Sequence, residues 1–377
     1  MSEAIDRLRL ARAEAVGPIA YRRLLQRYGS AAAAIDALPM LAQAGGRAHP
    51  PRVPSRAEAG REIEAVEGLG GRFIAVGDPA YPAALAHLED APPVIAVLGD
   101  PRVLARKPVG IVGSRNASVN GRRFAQSLAH DLARAGVSVV SGLARGIDAA
   151  AHAGALESGA TVACIAGGLD VPYPPEHADL QARIARSGAV VAEMPLGTGP
   201  LARHFPRRNR VIAGLSLGVV VVEAALRSGS LITARLALAA GRELFAAPGS
   251  PLDERCRGSN DLIRQGAHLV EDAGDVLANL PDHPLREGVA RLPLFARDAP
   301  PSELAEAPAM VFADPTARTR AEIAAMLSAT PTSVDDLIRR CQLSLPAVMS
   351  ALLELELAGR VETLPGNRVA LLAAPGA

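Results

Sequence analysis

Four arginines lie within eight residues of this chain, and an aromatic ring and an amide side chain lie among them. The residues are Arg203, Phe205, Arg207, Arg208, Asn209 and Arg210. They follow a Gly/Pro stretch at 197–200 and precede an apolar run, which predicts a loop or helix entry at the rim of a sheet. Because the whole chain carries a net charge of only +1, the positive field is local. Guanidinium groups bind phosphates in pairs of hydrogen bonds, and a ring offers a face to a base. The pattern therefore predicts a polyanion site, with a nucleic-acid backbone as its ligand, or else a solvated arginine cluster on a helix.

A glycine loop at 110–116 contains Gly113, Ser114 and Arg115 and stands between an apolar strand and a helix that starts near residues 118–121. Free backbone N–H groups and the helix dipole at such a junction favour an anion. The loop has neither the GxGxxG spacing of a dinucleotide site nor the GxxxxGK[ST] form of a phosphate loop. Arg115 is suited to holding a phosphate rather than transferring it. The alternative is that the glycines serve only a tight turn.

The next strand ends in a loop at 141–148 that offers Ser141, Gly142 and Arg145 to the same crevice. Asp148 is predicted to cap the helix that follows this loop. His152 lies four residues later on the same helical face, where we expect a packed or hydrogen-bonded core histidine rather than a catalyst.

Other strand ends repeat the pattern. A rigid loop at 167–175 carries an aromatic ring, Tyr173. The loop that contains Ser228, Gly229 and Ser230 opens another helix, and its hydroxyl and N–H groups suit an anion. A further glycine follows a strand at 248–250. Five glycine-containing strand ends on one sheet edge, beside an arginine-rich segment, predict a shared binding crevice.

The elements that position these loops follow from the apolar pattern. From about 72 to 280, nine short apolar runs alternate with helical stretches, which predicts an α/β fold with a parallel sheet covered on both faces. Such sheets bind ligands at the carboxyl ends of their strands. We predict a helical domain at 1–58 with breaks near residues 17–18 and 29–30, in which the turn at 16–18 followed by Leu24-Leu25 resembles a helix–hairpin–helix. We also predict a core at 70–280, a proline-rich linker at 281–317, and a winged helix-turn-helix at 318–377, with Ser344 as the N-cap of its third helix and Gly359 as its stop.

Composition limits the classes of protein. The chain has 377 residues, enough for two or three domains, and 49% of them are apolar. Aromatic residues make up 3%, without tryptophan, so aliphatic packing must form the core. The three cysteines lie far apart, without zinc spacing or an even number for disulfides. No signal peptide or membrane-spanning run is present in the sequence, which predicts a cytosolic (cytoplasmic) protein that does not bind membranes.

The ordered series of motifs resembles the DNA-processing protein A (DprA/Smf) family across residues 75–270. The matching segments are Val112–Arg115, Ser141–Asp148 with His152, Gly167–Asp170 with Tyr173-Pro174, Phe205–Arg210, Ser228–Thr233 and Pro248-Gly249. The resemblance implies an extended Rossmann-like parallel sheet core, a small helical (sterile-alpha-motif-like) N-terminal domain and a C-terminal winged helix. It also implies a homodimer that binds single-stranded DNA, protects incoming DNA during natural transformation and loads the RecA recombinase onto it, without turnover chemistry or a cofactor.

Carried over by position, the resemblance implies that Arg115 holds a phosphate and that Phe205 stacks on a base. Ser114, Ser141, Gly142 and the turn from Ser228 to Ser230 would supply backbone contacts, and the arginines around Asn209 would form a basic rim. Many relatives place a lysine three residues before the phenylalanine, where this chain has Ala202. Arg203 is the nearest substitute.

The sequence argues against duplex reading by the winged helix. Its third helix contains Glu354 and Glu356 and has no Lys or Arg between Ser344 and Gly359. Acidic side chains repel phosphate, so we expect a protein-contact or auxiliary role for this domain.

Two other functions remain open at this point. The first is an enzyme that acts on a mononucleotide, similar to phosphoribohydrolase-like Rossmann proteins, with Glu193 and Glu223 as its candidate acids. The second is a scaffold whose terminal modules bind partners. A mononucleotide pocket needs few arginines, so the arginine–aromatic segment favours single-stranded DNA.

Overall fold

The computed structural model describes residues 2–281 and 315–372 of the chain. Contacts between residues group the chain into two compact units. The terminal unit combines both chain ends, Met1–Arg61 and Arg291–Ala377, and the core unit is Glu62–Ala290. Most of the predicted linker, residues 282–314, lies outside the described residues.

The N-terminal part of the terminal unit is helical, as predicted. Its helices are α1 (Ser2–Ala11), α2 (Pro18–Tyr28) and α3 (Ala31–Ala44). Pro18 starts α2, where its missing N–H costs no hydrogen bond. Gly29 ends α2 in the left-handed region at φ 74°, and the Ser30 hydroxyl accepts the Ala33 N–H at 3.2 Å to start α3. Both predicted breaks are therefore helix ends.

The described part of the core unit contains all nine predicted strands in one sheet. They are β1 (Gly71–Ala75), β2 (Val94–Gly99), β3 (Val109–Gly113), β4 (Val139–Ser141), β5 (Thr161–Ile165), β6 (Ala189–Ala192), β7 (Gly218–Val222), β8 (Glu243–Ala246) and β9 (His268–Leu269). The strand order is β1-β2-β6-β5-β4-β3-β7-β8-β9. In this sheet order, the seven strands β6-β5-β4-β3-β7-β8-β9 are parallel, whereas β2 pairs antiparallel with both β1 and β6. The parallel sheet is thus extended by an antiparallel edge that the apolar pattern could not show.

The strand order fixes where a ligand can bind. The chain builds outward from β3 through β4 and β5 to β6, then returns to place β7 on the other side of β3. The topological switch point therefore lies between β3 and β7, and the loops after these two strands diverge to leave a crevice.

Helices cover both faces of the sheet. They are α4 (Arg56–Gly68), α5 (Ala83–Ala86), α6 (Val119–Arg134), α7 (Ile147–Ser158), α8 (Ala178–Ser187), α9 (His204–Leu215), α10 (Ser230–Ala239), α11 (Arg257–Arg264) and α12 (Ala273–Asn279). Val109 and Ile111 of β3 pack with α6 and α7 in one aliphatic cluster. Gly110 faces the opposite side, where a Cβ would lie 3.5 Å from Ile212 of α9. Because β3 is buried on both faces, its sequence is continuously apolar.

The C-terminal part of the terminal unit is a winged helix. Its elements are α13 (Ala317–Met326), β10 (Thr332–Ser333), α14 (Val334–Cys341), α15 (Leu345–Leu357), β11 (Val361–Leu364) and β12 (Arg368–Leu371), with an antiparallel sheet in the order β10-β12-β11. Ser344 stands at the N-cap of α15, as predicted, but its side chain makes no capping hydrogen bond. Gly359 follows α15 at φ 71° and ends it as expected.

Candidate nucleic-acid interface

A crevice of about 720 Å³ opens at the switch point between β3 and β7. Four chain segments line it: the loop after β3 at 112–116, Ala144 and Asp148 after β4, the start of α9 at 202–209, and the loop after β7 at 225–233. The structure thus brings together most of the residues predicted from the sequence. Those in the crevice wall are Gly113, Ser114, Arg115, Phe205, Arg208, Asn209, Ser228, Gly229 and Ser230.

The loop after β3 presents one cation to this crevice. Arg115 is exposed, and its guanidinium carbon lies 5.1 Å from the centre of the Phe205 ring. The Ser114 hydroxyl accepts the Asn116 N–H at 3.2 Å and shapes the turn. A Cβ on Gly113 would lie 1.9 Å from the Val222 carbonyl oxygen, so this glycine permits the close approach of β3 and β7.

The helix after this loop does not offer its N-terminus to a ligand. Glu223, which follows β7, accepts the Ser118 N–H at 2.8 Å and also the Ser118 hydroxyl. Ser118 in turn caps α6 by accepting the Gly121 N–H at 2.9 Å. A carboxylate therefore already occupies the positive end of α6, which corrects the expectation that this dipole faces an anion.

The four clustered arginines divide into an exposed pair and a buried pair. Arg203 and Arg207 are exposed, four residues apart on the solvent side of the helix start, whereas Arg208 and Arg210 are 7% exposed. Arg210 donates to the Glu193 carboxylate at 2.5 Å, so its charge is held inside the protein. Of the four arginines, Arg203 and Arg207 thus remain exposed to solvent, but neither lines the crevice, while Asp148 and Glu193 bind the other two.

Arg208 forms the floor between the crevice and a small neighbouring pocket. Its Nη1 lies 3.7 Å from Oδ2 of Asp148, which also accepts the Gly142 N–H at 3.1 Å and the Ala144 N–H at 3.3 Å. Burial raises the pKa of Asp148, and the Arg208 charge partly offsets this effect. Asp148 does not cap α7 as predicted, since it lies inside the first turn and binds the preceding loop.

His152 is a core residue, as the sequence reading preferred. Thr161 donates its hydroxyl proton to the Val139 carbonyl at 2.7 Å, so the contact of His152 Nδ1 with Thr161 Oγ1 at 2.7 Å needs the proton on Nδ1. Nε2 is then unprotonated, and it has no hydrogen-bond partner among the described residues. Burial, with the nearby Arg208 charge, lowers the pKa of His152 to about 3. The imidazole is therefore neutral and structural.

An aromatic pair adjoins the crevice. The ring centres of Tyr173 and Phe205 are 5.9 Å apart at 63°, and the Arg208 guanidinium carbon lies 5.9 Å from the Phe205 centre. Tyr173 is 46% exposed and borders the small pocket of about 50 Å³ together with Gly142 and Arg145. The sequence placed Tyr173 at this sheet edge but did not include it in the binding set. The sequence feature that could have identified Tyr173 as a binding residue is an aromatic ring in a glycine/proline loop at a strand end.

Several predicted contacts are already engaged within the protein. Ser141 is buried and donates to the Ile111 carbonyl at 2.6 Å, so it cannot reach a ligand without rearrangement. Arg145 is exposed but hydrogen-bonded to Glu176. The hydroxyls of Ser228 and Ser230 lie 2.6 Å apart and bond to each other. Arg227, at the start of this last loop, is exposed in the crevice wall and adds a cation that was not in the predicted set.

Comparison with known proteins identifies the family. A family model described as DNA recombination-mediator protein A matches residues 72–281. Protein Smf of Escherichia coli is 42% identical over 293 residues, which are 77% of this chain and 75% of that protein. The chain belongs to the DNA recombination-mediator protein A family. Further models match a DprA-like N-terminal helix-hairpin-helix domain at residues 1–65 and a DprA winged helix domain at 300–367.

Solved structures of family members agree with the fold. The structure of DNA processing protein A from Streptococcus pneumoniae matches with a TM-score of 0.58 and 41% identity, covering 61% of this chain and 80% of that one. The protein from Helicobacter pylori matches with a TM-score of 0.51 and 28% identity, covering 55% of this chain and 97% of that one. The Helicobacter structure is described for its single-stranded DNA binding mode. The mixed α/β core with a helical N-terminal domain and a winged helix is thus confirmed as the fold.

No group of His, Cys, Asp or Glu side chains in residues 2–281 and 315–372 could hold a metal ion. Within the same ranges no helix has the length and apolar character needed to span a bilayer.

Proposed function

We propose that this chain binds single-stranded DNA in the crevice between β3 and β7. The observation that carries the proposal is the cluster of Arg115, Phe205 and Tyr173 beside the switch point, with the exposed Arg227 in the crevice wall. Guanidinium groups supply phosphate contacts, and two rings supply faces for bases, which is the pattern of sequence-tolerant single-strand binding. The single-strand binding described for the Helicobacter relative supports the same conclusion.

The crevice is arranged so that phosphate and base contacts lie next to each other. Arg115 already covers the Phe205 ring at 5.1 Å, so a stacked base shares its surroundings with this guanidinium. Asp148 holds the Arg208 guanidinium at the floor of the crevice, so this fixed group adds positive potential from below. A cation fixed by protein contacts loses less conformational entropy on binding than a solvated one.

The proposal also includes the biological role of single-stranded DNA binding. The chain protects incoming single-stranded DNA during natural transformation and loads the RecA recombinase onto it, acting as a homodimer in the cytoplasm. Membership of the DNA-processing family supports this role, together with a site built from guanidinium groups and aromatic rings, which can contact any single strand through phosphates and base faces. Non-specific binding suits a protein that must accept any incoming sequence.

We also propose that no turnover takes place in the crevice. The carboxylates considered for an enzyme are both engaged in structural contacts: Glu193 binds Arg210, and Glu223 caps the entry to α6 through Ser118. A volume of about 720 Å³ would accommodate a mononucleotide, so the enzymatic alternative is tested directly. Incubation with nucleoside monophosphates should release neither base nor phosphate, and release of either would replace the binding proposal with the phosphoribohydrolase-like one.

Fluorescence anisotropy with labelled oligothymidylate tests the binding site. Arg115→Ala should weaken binding by about tenfold, since it removes a phosphate contact and the cation over Phe205. Arg134→Ala is the matched control, because Arg134 is exposed in the last turn of α6, which lies at the opposite edge of the sheet from the crevice. Equal affinities of both variants and the unmodified protein would place the site elsewhere.

A further inference from the structure

The helix α15 of the winged helix has two buried faces. Its first face, with Val348, Ala351, Leu352 and Leu355, belongs to the hydrophobic cluster of the winged helix itself. The second face, at the helical spacing 350, 353, 354 and 357, is also buried: Ser350 and Leu357 are 0% exposed and Leu353 is 1% exposed. Neither Leu353 nor Leu357 belongs to the winged helix cluster, whereas the Glu354 carboxylate accepts a hydrogen bond from Arg320 of α13 at 2.7 Å. A helix that is buried all round needs a second packing partner.

That partner is the N-terminal helical part of the same terminal unit. Helices α3 and α2 pack on α15. The approach at Gly45, after α3, is so close that a Cβ there would lie 1.9 Å from the Glu354 carbonyl oxygen and 2.8 Å from the Ala358 Cβ. Gly45 has no positive φ, so its lack of a side chain serves this approach rather than a turn.

A polar contact adds specificity to the apolar one. Arg23 of α2 is 6% exposed, and its Nη1 lies 4.0 Å from the Glu356 carboxylate and 3.5 Å from the Thr363 hydroxyl. Thr363 donates to the same carboxylate at 2.8 Å, and burial raises the pKa of Glu356. Opposite charges from the two ends of the chain thus meet in a setting that is largely closed to water.

We propose that α15 is a docking surface for the chain's own N-terminal helices, and that the two ends of the chain form one stable body in solution. The helices α14 and α15 form the helix-turn-helix of this domain. In a helix-turn-helix that reads DNA, the helix in the position of α15 lies in the major groove. Here its outward face is covered by α2 and α3 and carries acidic groups, so duplex DNA is not its ligand. The core unit is thereby inserted, in sequence, between two halves of a single unit.

Cleavage of the full chain tests this proposal without reference to DNA binding by the core. A specific protease site is placed in the stretch 282–314, the folded protein is cut, and the products are run on a sizing column. The winged helix fragment should co-elute with the remainder, because the interface and not the peptide bond holds it. Separate elution of the fragment from the otherwise unmodified protein would overturn the proposal.

Two variants should release the fragment after cleavage. Gly45→Leu places a side chain where the Glu354 carbonyl lies, and Gly60→Leu is its control, since nothing lies within 4 Å of a Cβ there. Leu353→Lys buries an ammonium in the second face without touching the winged helix cluster, and Leu345→Lys is its control, because Leu345 is 46% exposed in the same helix. Retention of the fragment in both test variants would refute the interface.

Titration of the variant with duplex DNA shows whether the N-terminal helices only dock on α15 or also cover a DNA-binding face. The Gly45→Leu protein should bind a blunt duplex no more tightly than the unmodified protein, given the acidic groups on α15. A gain in duplex affinity of tenfold or more would mean that the N-terminal helices hide a DNA reader, and would overturn the assignment of α15 as a protein-docking surface.

Discussion

The division of the α9 arginines into exposed and buried pairs makes a prediction about salt dependence. Arg207→Gln and Arg210→Gln remove the same charge three residues apart in the same helix. Arg207 is exposed in the first turn of α9, next in the chain to Arg208 of the crevice floor, whereas Arg210 donates to Glu193 and is 92% buried in its side chain. Only Arg207 can release counterions from a bound strand. The two substitutions should therefore differ in kind: one should change the ionic component of binding and the other the stability of the fold.

The size of the first effect follows from counterion release. Each phosphate neutralised on a single strand contributes about 0.7 to the slope of log K against log salt. Loss of one contact should therefore make the slope shallower by about 0.7, which over a fourfold rise in salt, from about 50 to about 200 mM, is roughly a 2.6-fold smaller loss of affinity. At low salt the affinity itself should fall about fivefold, for a contact of about 1 kcal/mol.

The second effect is a loss of stability. Arg210→Gln leaves the Glu193 carboxylate, which is 16% exposed, without its 2.5 Å ion pair. Removing one partner of a buried pair costs about 3–5 kcal/mol. The salt slope of the folded protein should stay as it is in the unmodified chain. Adding Glu193→Gln should restore part of the lost stability, because it removes the carboxylate that lost its ion pair with Arg210.

Anisotropy titrations at several salt concentrations and urea unfolding of the same preparations measure both quantities. Arg134→Gln, an exposed arginine at the far end of α6, serves as the control and should alter neither. Phosphate binding by Arg207 would be refuted if Arg210→Gln flattened the salt slope as much as Arg207→Gln, or if Arg207→Gln left the slope unchanged. In either case the solvent-facing arginines of this helix would not be the phosphate contacts.

Three further outcomes are expected. Gly142→Ala puts a methyl group 1.1 Å from the present position of Arg208 Nη1, so the guanidinium must leave Asp148. Single-strand affinity should then fall at least about tenfold. Gly199→Ala is the control, because its Cβ has open space around it, and this variant should bind normally in the same titration. Tyr173→Ala should weaken oligothymidylate binding by about 1 kcal/mol, roughly fivefold, while Tyr173→Phe keeps the stacking face and should bind as the unmodified protein does; equal loss in both would point to the hydroxyl instead. His152 has a folded pKa of about 3, below its unfolded value near 6.5, so its contribution to stability is complete above pH 6.5 and is lost as the pH falls towards 3. His152→Gln should remove up to about 1.4 kcal/mol per pH unit from the slope of unfolding free energy between about pH 6 and 4, and parallel stability curves for the two proteins would contradict this.

Much of the core could be read from the chain because each strand is a continuous apolar run between helices. All nine predicted strands are present in the described residues, but the single shared crevice predicted for the glycine loops is wrong: the loops after β3, β4 and β7 line the crevice, whereas Gly167 and Gly249 border other cavities. Parallel strands place their carboxyl ends together whatever the details of packing, so the sheet edge that binds a ligand needed no coordinates, whereas the switch point between β3 and β7 did. The antiparallel pairing of β2 with β6 did need them, since a short apolar strand carries no mark of its direction.

The site residues divide in the same way. Arg115, Phe205 and the loop around Ser228 were identifiable because residue type and strand-end position together specify a polyanion crevice. The burial of Arg210 could not be predicted from the sequence, because it depends on a carboxylate seventeen residues earlier in the chain, at the end of another strand. Glu223 was visible as a strand-end acid, but its contact with Ser118 spans 105 positions.

The sequence by itself determined the order of elements, the edge at which ligands bind and the chemistry available there, because these follow from local periodicity and from the rule that parallel strands end on one side. Only the tertiary structure decided which charges remain for a ligand. Arginines in one helix turn meet solvent or a buried carboxylate according to contacts between segments distant in the chain. The partner of α15 was decided in the same way, since a buried second face does not specify which part of the chain covers it.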